Sequence, residues 1–188
     1  MQTTRNVLKV YRAAIESDIT EGLAWYPTAH NLAFVVGRGD ILKGAGIVSA
    51  YSPQTSWPLN TRYALQASAS GIANMPTLGN SNRSAQRILD GENPFDVLKG
   101  LKTRSFTNNI LHAGNVDDPT IDVHAYSIAI GKKTPAKDMP SLGKARYEEL
   151  QEAFRRAAKI EGIKPSDMQA ITWVAWRRVH PAKTAKKG

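Results

Sequence analysis

The sequence contains no cysteine. That excludes disulfides, thiolate zinc sites and cysteine-held iron–sulfur clusters, and it fits a reducing, cytoplasmic setting. No apolar run approaches the ~20 residues of a membrane helix, so a soluble chain with no membrane contact is expected. The start, MQTTRNVLKVYRAAIES, lacks a signal-peptide core and reads directly as helix. Period-two alternation is nearly absent, and there is no internal repeat or low-complexity block. His30, His112, His124 and His180 show no metal-ligand spacing, so neither a metal nor another cofactor is expected. Gly37, Gly39, Gly44 and Gly46 form no phosphate-binding fingerprint. No carboxylate cluster suits magnesium and no aromatic motif suits RNA, which places nuclease and RNA-binding roles last.

What is present begins with positive charge. The 188 residues carry 25 Lys and Arg against 16 Asp and Glu, a net +9. Such a balance favours polyanions, because each neutralised phosphate releases condensed counterions. The cations cluster at Lys99, Lys102 and Arg104, at Lys132, Lys133 and Lys137, and from Arg177 to Lys187. Residues 183–188 read as a basic, disordered tail on a single helical domain spanning 1–182.

Helical spacing of apolar residues predicts an all-α chain of eight to ten short helices. The expected segments are Thr4 to Trp25, an apolar piece from Thr28 to Arg38, and Ile41 to Tyr51 capped by Asp40. Thr61 to Ala73, Ser81 to Leu89, Asp96 to Gly100 and Ser105 to His112 follow. Asp122 to Gly131 reads as a helix capped by Asp122, and Leu142 to Glu161 and Pro165 to Trp176 complete the set. Ile47–Val48 and Phe34 to Val36 have strand propensity but are short. Gly44, Ala45 and Gly46 let neighbours approach closely, which suits a central helix.

Three ordered segments carry the chemistry: GAGIVSAYSPQTSWPLN, LKGLKTR and TIDVHAYSI. Together they resemble the helix-hairpin-helix DNA glycosylase superfamily, the group of endonuclease III and the adenine glycosylases. The first resembles that family's small-and-apolar helix with its Gln-Thr turn. The second is similar to its Leu-Pro-Gly-Val-Gly hairpin, and the third to its Val-Asp-Thr-His-Val segment. Arg104 stands where bifunctional members carry a Schiff-base lysine, 18 residues before Asp122. The likeness covers roughly Ala45 to Ile130.

The resemblance implies a two-lobed helical fold with a cleft, and double-stranded DNA as partner to a monomer. Such enzymes extrude the target nucleotide and fill the gap it leaves. On that reading Asp122 is the catalytic residue, and Gln54, Trp57 and His124 line the base pocket, with Gln54 as the wedge. Lys99, Gly100, Lys102 and Arg104 hold the DNA backbone, with Gly100 allowing close approach of phosphate. The hairpin's proline is Lys99 here and its second glycine is Lys102, a residue that adopts positive φ reluctantly. Arg104 is no amine nucleophile, so the implied reaction is base release without strand cleavage.

Plainer readings exist for each residue. Asp122 before an apolar run is a helix cap; the two roles coincide because the family's aspartate also begins a helix. His124 alone reads as a hydrogen-bonding structural residue, and Gln54 with Trp57 as a packed turn. Trp173 and Trp176, three apart on one helix, read as core. Two other functions remain open on the same fold: a transferase that installs substituents on DNA bases, and a catalytically inactive DNA-binding module.

Overall fold

The computed structural model describes residues 1–181, so the basic tail at 183–188 lies outside the described residues. Within them the protein is all-helical: ten α-helices, one short 3₁₀ turn at Ala136–Asp138, and no strand. The chain divides into two compact units, one of Met1–Trp25 with the chain from Pro119 onward, the other Tyr26–Asp118.

The first unit opens with α1, Gln2–Arg12, which buries Thr4, Val7 and Leu8. The chain then turns and α2 begins at Glu16 and runs to Val36. The continuous helix expected from Thr4 to Trp25 is therefore two helices. Asp18, at the third position of α2, reaches back and accepts the Ile15 N–H at 3.0 Å, the acidic half of a capping box. The separate segment expected at Thr28 to Arg38 is the continuation of α2, which passes through Pro27 although proline cannot close its bond there. The boundary between the units falls just before that proline.

The rest of the first unit is α8 (Val123–Ile130), α9 (Lys144–Glu161) and α10 (Pro165–Val179). α1 packs on α8, α9 and α10, and α10 packs on α8 and α9. Val7, Ile128, Leu150, Phe154, Met168 and Ile171 are removed from water there, each contributing roughly 1.5–3 kcal/mol. Asp18 is also 2% exposed. It is held by a fork from Arg178, whose Nε and Nη2 donate at 2.8–3.0 Å.

That fork has a consequence with pH. The Arg178 hydrogen bonds hold the Asp18 carboxyl below its ordinary range, outweighing the opposite pull of burial. Because the folded-state value is depressed, the stabilisation is present above the unfolded value of about 3.9 and is lost as pH falls through the lower folded value. Asp18→Asn is expected to lower stability by about 2 kcal/mol near neutrality. The gap from the parent should narrow as the medium is acidified below about pH 4. Urea unfolding of both proteins across a pH series measures it; a gap that stays constant contradicts the assignment.

In the second unit α3, Ile41–Ala50, is capped by Asp40, whose carboxylate accepts the Lys43 N–H at 3.0 Å. All residues from Gly44 to Ala50 are buried. Around it lie α4 (Trp57–Ser70), α5 (Gly79–Leu89), α6 (Pro94–Val97) and α7 (Leu101–Leu111), every one packed on α3. The two strand-like runs are helical, Phe34 to Val36 in α2 and Ile47–Val48 in α3. Two cations close helix C-termini in this unit, as the helix dipole favours. Arg38 Nη2 donates to the Ser68 carbonyl at 2.7 Å, and Lys43 Nζ to that of Leu89 at 2.8 Å.

Candidate functional site

The segment that carries Asp122 is fixed from both sides of the backbone. The Pro119 carbonyl accepts from Gln151 Nε2 at 3.0 Å, and the Ile121 N–H donates to the Tyr147 hydroxyl at 3.0 Å. Both partners lie on α9. Asp122 is then extended (ψ −174°) and starts α8. Its Oδ1 accepts the N–H groups of His124 at 3.0 Å and Ala125 at 2.8 Å, satisfying two of the donors a helix start leaves open. Its Oδ2 accepts the Trp173 indole N–H at 2.9 Å. Asp122 is half-buried. A carboxylate oxygen accepts about two hydrogen bonds, so Oδ1 is saturated and Oδ2 keeps one lone pair.

Trp173 is the residue that sequence reasoning missed. Its spacing from Trp176 predicts core, but both residues are only half-buried. Around the Trp173 ring stand Trp25, centroids 4.6 Å apart, and the His124 ring, edge-on at 6.0 Å. The Arg177 guanidinium carbon lies 4.3 Å from the Trp173 ring centroid, one helical turn along α10. A cation over an indole at that range is attracted by the ring quadrupole. Trp176 stacks on His180 at 4.0 Å. The first unit therefore joins Asp122 and His124, as the sequence placed them, to Trp25, Trp173 and Arg177. Chemically this is an anion held rigid by N–H donors beside aromatic faces and a fixed positive charge.

In the second unit the turn between α3 and α4 holds Gln54 and Trp57. Gln54 is exposed and adopts φ 56°, the left-handed region that few side chains occupy. Trp57 opens α4, is half-buried, and is followed by Pro58. Below the turn Tyr51 is fully buried, its hydroxyl donating to Asn82 Oδ1 at 3.3 Å. Burial pushes that phenol up to about 12.

The hairpin is seated by α6, because a Cβ on Gly46 of α3 would lie 2.6 Å from Pro94 at the start of α6. Leu98 is buried, and Lys99 and Gly100 are exposed. Gly100 caps α7 with φ −70° and ψ 134°, angles open to any residue. A Cβ there would meet only Thr103 Oγ1 at 3.2 Å. The backbone conformation at this position is thus one that any residue can adopt. Lys102 lies within the first turn of α7, so the positive φ that made lysine awkward is not required either. Lys99 sits 4.0 Å from Asp96 in an exposed pair. Arg104 donates from Nη1 to the Phe95 carbonyl and, at 3.5 Å, to that of Leu98, with its guanidinium carbon 5.4 Å from the Phe95 ring centroid. It braces the hairpin from behind.

Two further histidines also bond to backbone: His30 Nδ1 donates to the Ile110 carbonyl at 2.9 Å and His180 Nδ1 to that of Trp176 at 3.1 Å. Among the described residues no group of three His, Asp or Glu could hold a metal ion. No helix among them is long and apolar enough to cross a membrane.

Compared with known proteins, residues 1–180 match a family described as a family of unknown function (DUF7178). No curated protein and no solved structure matches the chain.

Proposed function

The chain belongs to this family of unknown function, and we propose that it is a DNA-binding protein of the helix-hairpin-helix glycosylase type that releases a damaged or modified base. The observation that carries the proposal is the Asp122 carboxylate, held by three N–H donors with one lone pair of Oδ2 uncommitted. With the target nucleotide extruded from the duplex, the bond from C1′ of the sugar to the base nitrogen breaks and its electrons leave with the base. Positive charge develops on the sugar, and a fixed carboxylate stabilises it better than water does, because it needs no reorganisation. Oδ2 can also take a proton from a water whose oxygen bonds to C1′, and the departing base acquires a proton in turn. Trp173 orients the carboxylate, while Lys99 and Lys102 supply charge for the phosphates. Arg104 offers no amine for a Schiff base, so the strand is left intact. The protein acts as an intracellular monomer on duplex DNA.

One observation favours a second reading, a binding module without catalysis: all three hydrogen bonds to Asp122 also serve α8 and α10 as structure. Mass spectrometry of products from duplexes carrying a panel of modified bases separates the readings. Free base with an unbroken strand is the expected result. A heavier nucleoside points instead to a base-modifying transferase, and unchanged but bound DNA to the binding module; either overturns base release.

A further inference from the structure

The helix α1 carries a feature that the site above does not use. Its sequence, QTTRNVLKVYR, holds three cations and no acid. Arg5, Lys9 and Arg12 are all exposed, and they recur at the i, i+4, i+7 spacing that puts residues on one face of a helix. Together with Leu8 and Ala13 they line an open depression of about 420 Å³. Arg12 is partly committed, since it pairs with Glu161 of α9 at 2.8 Å. Among the described residues Arg5 and Lys9 have no side-chain hydrogen bond or ion pair.

The opposite face of α1, with Thr4 and Val7, is buried in the first unit. No apolar face is therefore left to enter a lipid surface, which an interfacial helix requires. What α1 offers is charge along a line: the rise of the helix sets Arg5 and Lys9 about 6 Å apart and Arg5 and Arg12 about 10 Å apart. Charges two and three nucleotides apart on one strand recur on that scale, since each nucleotide advances about 3.4 Å of axis. The small floor of Leu8 and Ala13 suits the apolar edge of a sugar.

We propose that this face of α1 is a second contact for the phosphodiester backbone, additional to the hairpin. The inference rests on the DNA-binding part of the reading above and is independent of base release. The test measures binding of a labelled short duplex over a sodium chloride series, for the parent, for Arg5→Ala with Lys9→Ala, and for Lys144→Ala with Lys159→Ala. The last pair removes the same charge from exposed positions on α9. Circular dichroism checks that each variant folds.

Losing two phosphate contacts should lower the slope of log affinity against log salt by about 1.8, or 0.9 for each contact. The α9 pair should leave the slope as in the parent. An unchanged slope in the α1 variant, or an equal fall in both, overturns the inference while leaving base release intact. A parent that fails to bind duplex overturns it as well. If the slope falls as expected but no free base is ever produced, the α1 contact stands and base release fails.

Discussion

Gly44→Ala is expected to destabilise the protein by about 3 kcal/mol or more, a large share of what holds a domain of this size folded. Alanine is the better helix former by about 1 kcal/mol, so local propensity points the other way. Packing decides. A Cβ at residue 44 would stand 1.8 Å from the Ala33 carbonyl oxygen and 2.8 Å from the Gly37 nitrogen. Both are backbone atoms at the end of α2, and the Ala33 oxygen already accepts the Gly37 N–H at 2.8 Å. No side chain can swing away to make room; α2 and α3 have to separate. Gly79→Ala is the matched control, because nothing lies within 4 Å of its added methyl and its φ is not positive. Urea unfolding followed by circular dichroism reads both variants. A Gly44→Ala protein as stable as the Gly79→Ala protein contradicts this account of the α2–α3 contact.

That contact also shows what the sequence discloses and what it conceals. Small residues at 44–46 announce a buried helix, and the structure places α3 at the centre of its unit. The Asp40 and Asp122 caps were legible because a capping aspartate before an apolar run is a local signal, and both bonds are present. The break between α1 and α2 was not legible. Apolar periodicity continues across it, and its cause is Asp18, whose partners Ile15 and Arg178 lie 3 and 160 residues away. Only the nearer of these could be found by inspection, and a box with isoleucine at the cap does not advertise itself. The merger of α2 through Pro27 failed to show for the opposite reason: proline is read as a boundary, whereas this helix runs on through it.

The candidate site follows the same division. Asp122 and His124 are neighbours in sequence and could be found together; Trp173, Trp25 and Arg177 join them only by folding. A signal for Trp173 existed in the pair of tryptophans on α10, but spacing alone assigns such a pair to the core. Its indole N–H was the overlooked clue, since a tryptophan withdrawn from water usually finds an acceptor for that group. The hairpin illustrates a different gap. Lysine in place of the hairpin's second glycine raised a question of positive φ, yet Lys102 is helical and the turn is seated by Gly46 and braced by Arg104.

The decisive substitution is Asp122→Asn, expected to lower base release by 10²- to 10⁴-fold, the usual size of a general-base or electrostatic contribution. The choice of asparagine separates the two roles of this residue. Asparagine caps a helix about as well as aspartate, so its oxygen can keep the His124 and Ala125 N–H groups. Its amide NH₂ then faces the Trp173 N–H that Oδ2 accepts in the parent. Two donors opposed across that distance cost roughly 1–3 kcal/mol, so the variant should be somewhat less stable but folded. Adding Trp173→Phe removes the opposing donor and should restore part of the stability. It cannot restore the negative charge, so base release should stay low while duplex binding is retained. Single-turnover base release, duplex binding and urea unfolding, measured on the parent and both variants, resolve the roles. If Asp122→Asn releases base within threefold of the parent, Asp122 is a cap and nothing more. If instead activity returns along with stability in the double variant, the single substitution acted through the fold and the carboxylate charge is not what the reaction uses.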